Sequence, residues 1–338
     1  MMRIEERVPL APCTTLGVGG SARFFADCTS EAEIGDALHD ARTHKIPVAI
    51  LGGGSNTLIP DVGFDGLVIK VSIPGMTFAD EGEGSMATVG AGVSWDAFVR
   101  EASERTLWGI ENLAGIPGTV GGAVVQNIGA YGSELAETFV ACDTVLLANG
   151  ASKTIDRSLA ALAYRTSLFK HRRDLVITRA TFRLAKRGTP NLAYPGLKEA
   201  QERGDPLATP GEIAEAVRRI RSEKFPHGEG TAGSFFKNPI LPLAQVEALK
   251  KRFPELPTSA LGEGRAKIAL AWILDHVLNL RGYARGPVRM FERQPLALVT
   301  SPRARAEDVE ALAHDIAKRV RETIGIDIER EVETLRAK

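Results

Sequence analysis

Five short stretches carry residues able to do chemistry. Gly115 to Gly132 reads GIPGTVGGAVVQNIGAYG, with glycine denser than a helix or central strand tolerates. Such a run lets backbone N–H groups approach a pyrophosphate or a planar ring without side chains intervening; read alone, it fits a multi-turn loop packed on itself equally well. A second cluster, Gly52-Gly53-Gly54-Ser55-Asn56, follows the apolar run Val48 to Leu51, which reads as a buried strand, and the two loops together could grip two ends of one cofactor. Tyr164 to Lys170, YRTSLFK, gathers aromatic and cationic residues; read locally, it is a strand edge or turn with Arg165 solvated. In Gly233 to Pro239, GSFFKNP, Ser234 stands between a glycine and two aromatics, which reads as a glycine turn leading into an apolar strand that ends at Pro239. In the terminal segment, Ile326, Ile328 and Val332 alternate with Asp327, Glu329 and Glu331, the pattern of a strand with its carboxylates on one face.

Other chemistries are excluded. His39, His44, His171, His227, His276 and His314 show no HExxH or other metal spacing, so no metal is expected. Cys13, Cys28 and Cys142 are odd in number and lack CxxC spacing, which supports neither a disulfide framework nor a zinc site and points to a reducing compartment. No Gly-x-Ser-x-Gly elbow is present. Lys plus Arg and Asp plus Glu are balanced at 42 each, so no global field gathers nucleic acid or anionic lipid. The first residues lack a signal-peptide pattern and no apolar run is long enough to span a bilayer, so a cytoplasmic protein is expected.

The elements that must hold these stretches are marked by their own signals. Ser30-Glu31-Ala32-Glu33 is a capping box opening a helix through Ile34, Ala37, Leu38 and Ala41, and Gly66 to Val71 reads as a strand. Ala87 to Trp95 runs from a strand through Gly90-x-Gly92 into a helix capped by Ser94; it lacks the third glycine and the acidic residue of a dinucleotide fingerprint, and neither glycine loop has the Gly-Lys-Ser/Thr of a P-loop. Strands are expected at Thr144 to Leu147 and Leu175 to Leu184. Thr209-Pro210-Gly211-Glu212 opens a helix bridging to a new domain, and a long helix over 306–324 ends on Gly325. No repeats are present.

Taken together and in this order, GGGSN, IPGTVGGAVVQNIGAYG, YRTSLFK, GSFFKNP and IEREV closely resemble the UDP-N-acetylenolpyruvoylglucosamine reductase (MurB) family, over nearly the whole chain. QNIGAYG together with Tyr194 in LAYPGL is similar to the branch with a tyrosine-bearing substrate loop. The resemblance implies an α+β fold: a two-lobed FAD-binding domain of the vanillyl-alcohol-oxidase (PCMH) type, with lobes at 1–70 and 71–208, and a C-terminal α/β substrate-binding domain at 209–325. The segment 326–338 would return to the first lobe.

It further implies non-covalent FAD, NADPH as co-substrate, and reduction of UDP-N-acetylglucosamine enolpyruvate to UDP-N-acetylmuramate for peptidoglycan synthesis, with the two ligands sharing one pocket in turn. Gly52, Gly53, Gly54, Ser55 and Asn56, with Gly118, Thr119, Gly121 and Gly122, would face the FAD pyrophosphate, and Ile116, Ile128 and Gly129 the flavin. Arg165 would hold the developing negative charge, Ser234 would donate the proton and Glu331 would assist. Tyr164 would neighbour Arg165, while Tyr194, Lys224 and Asn238 would bind the UDP part. Departures from the family pattern are Thr166 for aspartate, Arg330 for proline and a short Lys224 to Gly233 segment; Glu329 and Glu333 are the carboxylates flanking Glu331. The rival is another FAD-dependent sugar or alcohol oxidase or dehydrogenase on the same scaffold; a non-catalytic nucleotide- or sugar-binding protein is a third reading. The oligomeric state is left open, a monomer being compatible.

Overall fold

The computed structural model describes residues 3–226 and 228–336, so His227 lies outside the described residues. Near the N-terminus, the strands run in the spatial order Ile4–Pro9, Ser21–Cys28, Phe64–Val71, Val48–Leu51; the first pair is antiparallel and the rest parallel. The helix Glu31–Thr43 links two of the parallel strands and buries Ile34, Ala37, Leu38 and Ala41. Ser30 caps it by accepting from the Glu33 N–H at 3.2 Å. The reciprocal half of the expected capping box falls one residue earlier, with the Glu33 carboxylate accepting from Thr29 N at 2.7 Å.

A five-stranded antiparallel sheet follows, in the order Ser152–Asp156, Phe139–Leu146, Leu175–Ala185, Gly84–Gly90, Met76–Glu81. Helices Trp95–Glu104 and Val120–Gln126 pack on it, and Trp95, Phe98, Phe139 and Phe182 meet edge-on or tilted in its core. The helix Pro210–Lys224 begins with the expected box, Thr209 accepting from Glu212 N and Glu212 from Thr209 N. Its buried residues Ile213, Ala214, Val217 and Ile220 join this same core.

Beyond it, Gly230–Ser234, Gln294–Thr300, Val288–Phe291 and Ala284–Arg285 form an antiparallel sheet, beside a three-stranded one of Ile240–Pro242, Arg265–Ile268 and Thr258–Gly262. The helix Ala306–Ile324 covers this C-terminal core and ends at Gly325, whose φ of 82° suits only glycine without cost. Leu16, Val18 and Leu58 from the first unit are buried in the same core, so the units share apolar contact.

Two local expectations change. The GSFFKNP stretch does not begin a strand: Gly230–Ser234 is the strand, and Phe235 and Phe236 follow its end as fully buried anchors. The expected strand 326–332 does not form: Arg330 makes an isolated antiparallel bridge to Phe236, the chain bends at 331 and 332, and regular pairing comes only further on, where Glu333–Thr334 runs parallel to Thr57–Leu58. The reason is its position between two units. Glu331 N donates to Phe235 O on one side, and Asn56 Nδ2 donates to Glu331 O on the other, so no single ladder forms.

Candidate active site

A cleft of about 450 Å³ opens where the glycine loops, the Arg165 turn, the end of the Pro210–Lys224 helix and the terminal segment converge. Every residue expected to face a flavin cofactor lines it, from Gly52 through Asn56 and from Ile116 to Gly129. The two loops do not grip opposite ends, however. A Cβ on Gly53 would lie 2.8 Å from Gly118 Cα, and one on Gly118 would lie 2.4 Å from Ser55 Oγ, so the loops touch and form one wall.

That wall fits an anion. The backbone N–H groups of Gly53, Gly54, Ser55 and Asn56 donate to no protein acceptor among the described residues, nor do those of Gly118 and Thr119. The buried Thr119 Oγ1 likewise has no partner. Amides without protein acceptors beside an unpaired buried hydroxyl, together on one cleft wall, suit the oxygens of a ligand. One role within the wall differs from the expectation. Gly121 directs its N–H to Ala91 O, and a Cβ there would lie 2.9 Å from Ala91 Cβ; it is a packing glycine. The Asn56 side chain is committed to Glu331 O at 3.0 Å.

Arg165 is not solvated. Ala163 and Thr166 exchange backbone hydrogen bonds at 3.0 Å, closing a turn that carries Tyr164 and Arg165. Arg165 sits at φ 54°, a costly conformation for a non-glycine residue that surrounding contacts must impose. Asn127 Nδ2 holds the turn through Ala163 O at 2.8 Å, and Ser167 Oγ donates to Val125 O at 2.6 Å. The guanidinium then enters the cleft, donating through Nη2 to Gly129 O and pairing Nε with Glu331 Oε1 at 3.0 Å. A Cβ on Gly129 would meet Arg165 Nη1 at 2.9 Å, so this glycine admits the cation.

The carboxylates expected on one face separate. Glu329 pairs with Lys237 at the surface, its side chain 79% exposed; Glu331 pairs with Arg165 in the cleft, 15% exposed; Glu333 takes Lys170 at 3.1 Å and Arg173 at 3.5 Å. Burial lowers the Lys170 pKa, opposed by Glu333. Arg330 pairs with Glu310 and packs over Phe235, tying the segment to the long helix.

Ser234 lines the cleft beside Gly233, whose φ is 73°. Tyr194 and Lys224 also line it, with Lys224 Nζ donating to Tyr194 Oη at 2.6 Å. Tyr194 caps the short helix Pro195–Glu202, and its ring lies edge-on to Tyr131 at 4.7 Å. Tyr164 and Asn238 are not on the lining. Tyr164 Oη accepts from Asn238 N at 3.3 Å, and Asn238 Oδ1 accepts from Leu270 N at 3.0 Å, so they brace the Arg165 turn from behind.

Sequence reasoning did not single out Gln126, Tyr131, Lys170, Arg221 or Gln294, all of which line the cleft. Burial raises the Tyr131 phenol to about 12, and burial lowers the Arg221 pKa. A signal existed for four of them. Gln126 and Tyr131 lie inside the glycine-rich stretch, Lys170 closes the YRTSLFK stretch, and Arg221 stands three residues before Lys224 on one helix face.

Comparison with known proteins accounts for both halves of this arrangement. Residues 22–156 match the family model of an FAD binding domain, and residues 225–335 match that of the UDP-N-acetylenolpyruvoylglucosamine reductase C-terminal domain. The reductase of that name from Burkholderia multivorans is 41% identical over 96% of this chain and 94% of its own. That of Pseudomonas aeruginosa is 37% identical over 98% of each. The crystal structure of UDP-N-acetylenolpyruvylglucosamine reductase (MurB) from Thermus caldophilus superposes with a TM-score of 0.68 at 27% identity, covering 99% of both chains. The fold is thus an FAD-binding domain of the PCMH type followed by the reductase C-terminal domain, and the chain belongs to the UDP-N-acetylenolpyruvoylglucosamine reductase family of FAD-dependent oxidoreductases.

Proposed function

We propose that this protein reduces UDP-N-acetylglucosamine enolpyruvate to UDP-N-acetylmuramate at the expense of NADPH, the two ligands occupying the cleft in turn. The observation that carries the reading is the convergence of Arg165, Glu331 and Ser234 on the same cleft as the unpaired amides of Gly53 to Asn56. Those amides, with Thr119 Oγ1, would hold the FAD pyrophosphate. FAD, when bound, supplies hydride transfer from NADPH to the enolpyruvyl double bond.

Hydride arriving at the terminal carbon leaves negative charge on the neighbouring carbon and its carboxylate. Arg165 meets that charge with a guanidinium already oriented by Gly129 O and Glu331, so little reorganisation is needed. Ser234 Oγ gives its proton to the carbon, a short transfer to a strong base that does not require an unusually acidic hydroxyl. Glu331 orients the reacting groups. Lys224 acts as a point charge on the nucleotide phosphates, and Tyr194 would exchange its hydrogen bond with Lys224 for one to the ligand. Asn238, behind the Arg165 turn with its N–H on Tyr164 Oη and its Oδ1 on Leu270 N, supports the site from there.

The test is the visible spectrum of the anaerobic holoenzyme through two additions. NADPH should bleach the flavin band, and UDP-N-acetylglucosamine enolpyruvate should restore it. Recovery with oxygen but not with the enolpyruvyl compound would favour an oxidase. In Ser234→Ala, bleaching should survive while recovery falls about 100-fold or more; equal loss of both halves would remove Ser234 from the proton-donor role.

A further inference from the structure

Gln126 is buried at the last position of the Val120–Gln126 helix, and its Nε2 donates to Glu331 Oε1 at 3.0 Å. The same oxygen receives Arg165 Nε at 3.0 Å. Left to themselves, a carboxylate and a guanidinium prefer a two-bond fork. Here the pair is side-on through one carboxylate oxygen, because Arg165 Nη2 is committed to Gly129 O and the neutral Gln126 amide draws Oε1 to its own side. The Glu331 backbone is fixed independently by Asn56 Nδ2 at 3.0 Å. The remaining freedom belongs to the side chain.

We propose that Gln126 is a positioning residue: its amide holds the Glu331 carboxylate in the side-on pairing that leaves Arg165 Nη1 open to an anionic substrate group. The inference rests on the functional reading above. The helix that carries Gln126 begins at Thr119 on the cofactor wall, and its far end is tied to the Arg165 turn through Asn127 and Ser167. Cofactor wall, cation and carboxylate are thereby set in one register by one short element.

The experiment uses holoenzyme variants Gln126→Met, which keeps the side chain's length and bulk without a donor, and Gln126→Glu, which keeps its shape and replaces the amide by a carboxyl group. Flavin content and melting temperature establish folding, and the second variant serves if the first does not fold. Bleaching by NADPH should stay within about threefold of wild type, while recovery with UDP-N-acetylglucosamine enolpyruvate should slow about 10- to 100-fold, with kcat falling more than KM rises. Gln126→Glu, which sets a second carboxylate against Glu331, should be the slower of the two. Recovery within threefold of wild type in both variants, or equal loss of both half-reactions, would overturn the role. A crystal structure of Gln126→Met decides the positioning separately: the Glu331 carboxylate should rotate away from its 3.0 Å contact with Arg165 Nε, and an unchanged contact would refute it. If the wild-type flavin itself fails to recover with the enolpyruvyl compound, the functional reading fails, while the crystal structure still judges Gln126.

Discussion

Gly53→Ala probes the wall formed by the two glycine loops. Gly53 has no positive φ, so alanine is allowed by its backbone and only space is at issue. The added Cβ would lie 2.8 Å from Gly118 Cα and 3.1 Å from both Gly118 C and Thr119 N. All three are backbone atoms, which cannot swing aside as a side-chain tip can. Reaching ordinary contact at 3.4 Å requires the loops to part by roughly 0.6 Å, the difference between the two distances. Overpacking of this kind costs about 1–3 kcal/mol. If the loops stay together, the fold bears the cost and the apoprotein melts lower. If they part, the amides of Gly53 to Asn56 and of Gly118 and Thr119 no longer converge, and FAD binds about 5- to 140-fold more weakly. The assay is therefore double: FAD titration by quenching of its fluorescence, and urea unfolding of the apoprotein. The two losses together should amount to about 1–3 kcal/mol. An FAD affinity within twofold of wild type, at unchanged stability, would show that the loops neither touch as described nor form the cofactor wall.

Two further expectations concern stability. Gly35 lies inside the Glu31–Thr43 helix with nothing within 4 Å of its would-be Cβ, so Gly35→Ala should stabilise by about 0.8–1 kcal/mol and raise Tm by roughly 2 °C; a lowered Tm would contradict the open surface assigned there. Burial raises the Cys28 and Cys142 thiols from 9.0 to about 12, and burial likewise raises the Tyr131 phenol from 10.0 to about 12. These groups ionise first in the unfolded chain. Their contribution is complete below pH 9 and is lost as pH rises towards 12, so the urea midpoint should fall across that window and fall less in a Cys28→Ala/Cys142→Ala double variant; a flat profile would refute the burial of the thiols.

Much of the local structure follows from short-range signals. Ser30 and Thr209 cap the helices their neighbours announce, and Gly325 ends the last long helix. Capping depends on three or four successive residues, so it survives in any tertiary context. The five motifs were recognisable through their joint order and separations along the chain, each alone being compatible with an ordinary loop, turn or surface. What each residue in them does was less accessible. Read locally, Arg165 is a solvated cation, yet contacts from Gly129 and Glu331, 36 residues or more away, draw it inward. Among four alternating acids, nothing in their own pattern separates Glu331 from Glu329 or Glu333. Separation comes from which cation the facing unit supplies.

The glycine loops divide along the same line. Their density already marks backbone exposed for close approach, because only glycine gives that up so cheaply. That Gly53 meets Gly118, that Gly121 packs on Ala91, and that Gly129 makes room for a guanidinium depend on where other elements lie. So does Gln126, which is an unremarked residue in the chain and a hydrogen-bond donor to a carboxylate 205 positions later. Local order is set by steric and hydrogen-bonding preferences within a few residues. The site is set by packing between distant segments, for which the chain holds the participants and only the folded core supplies the distances.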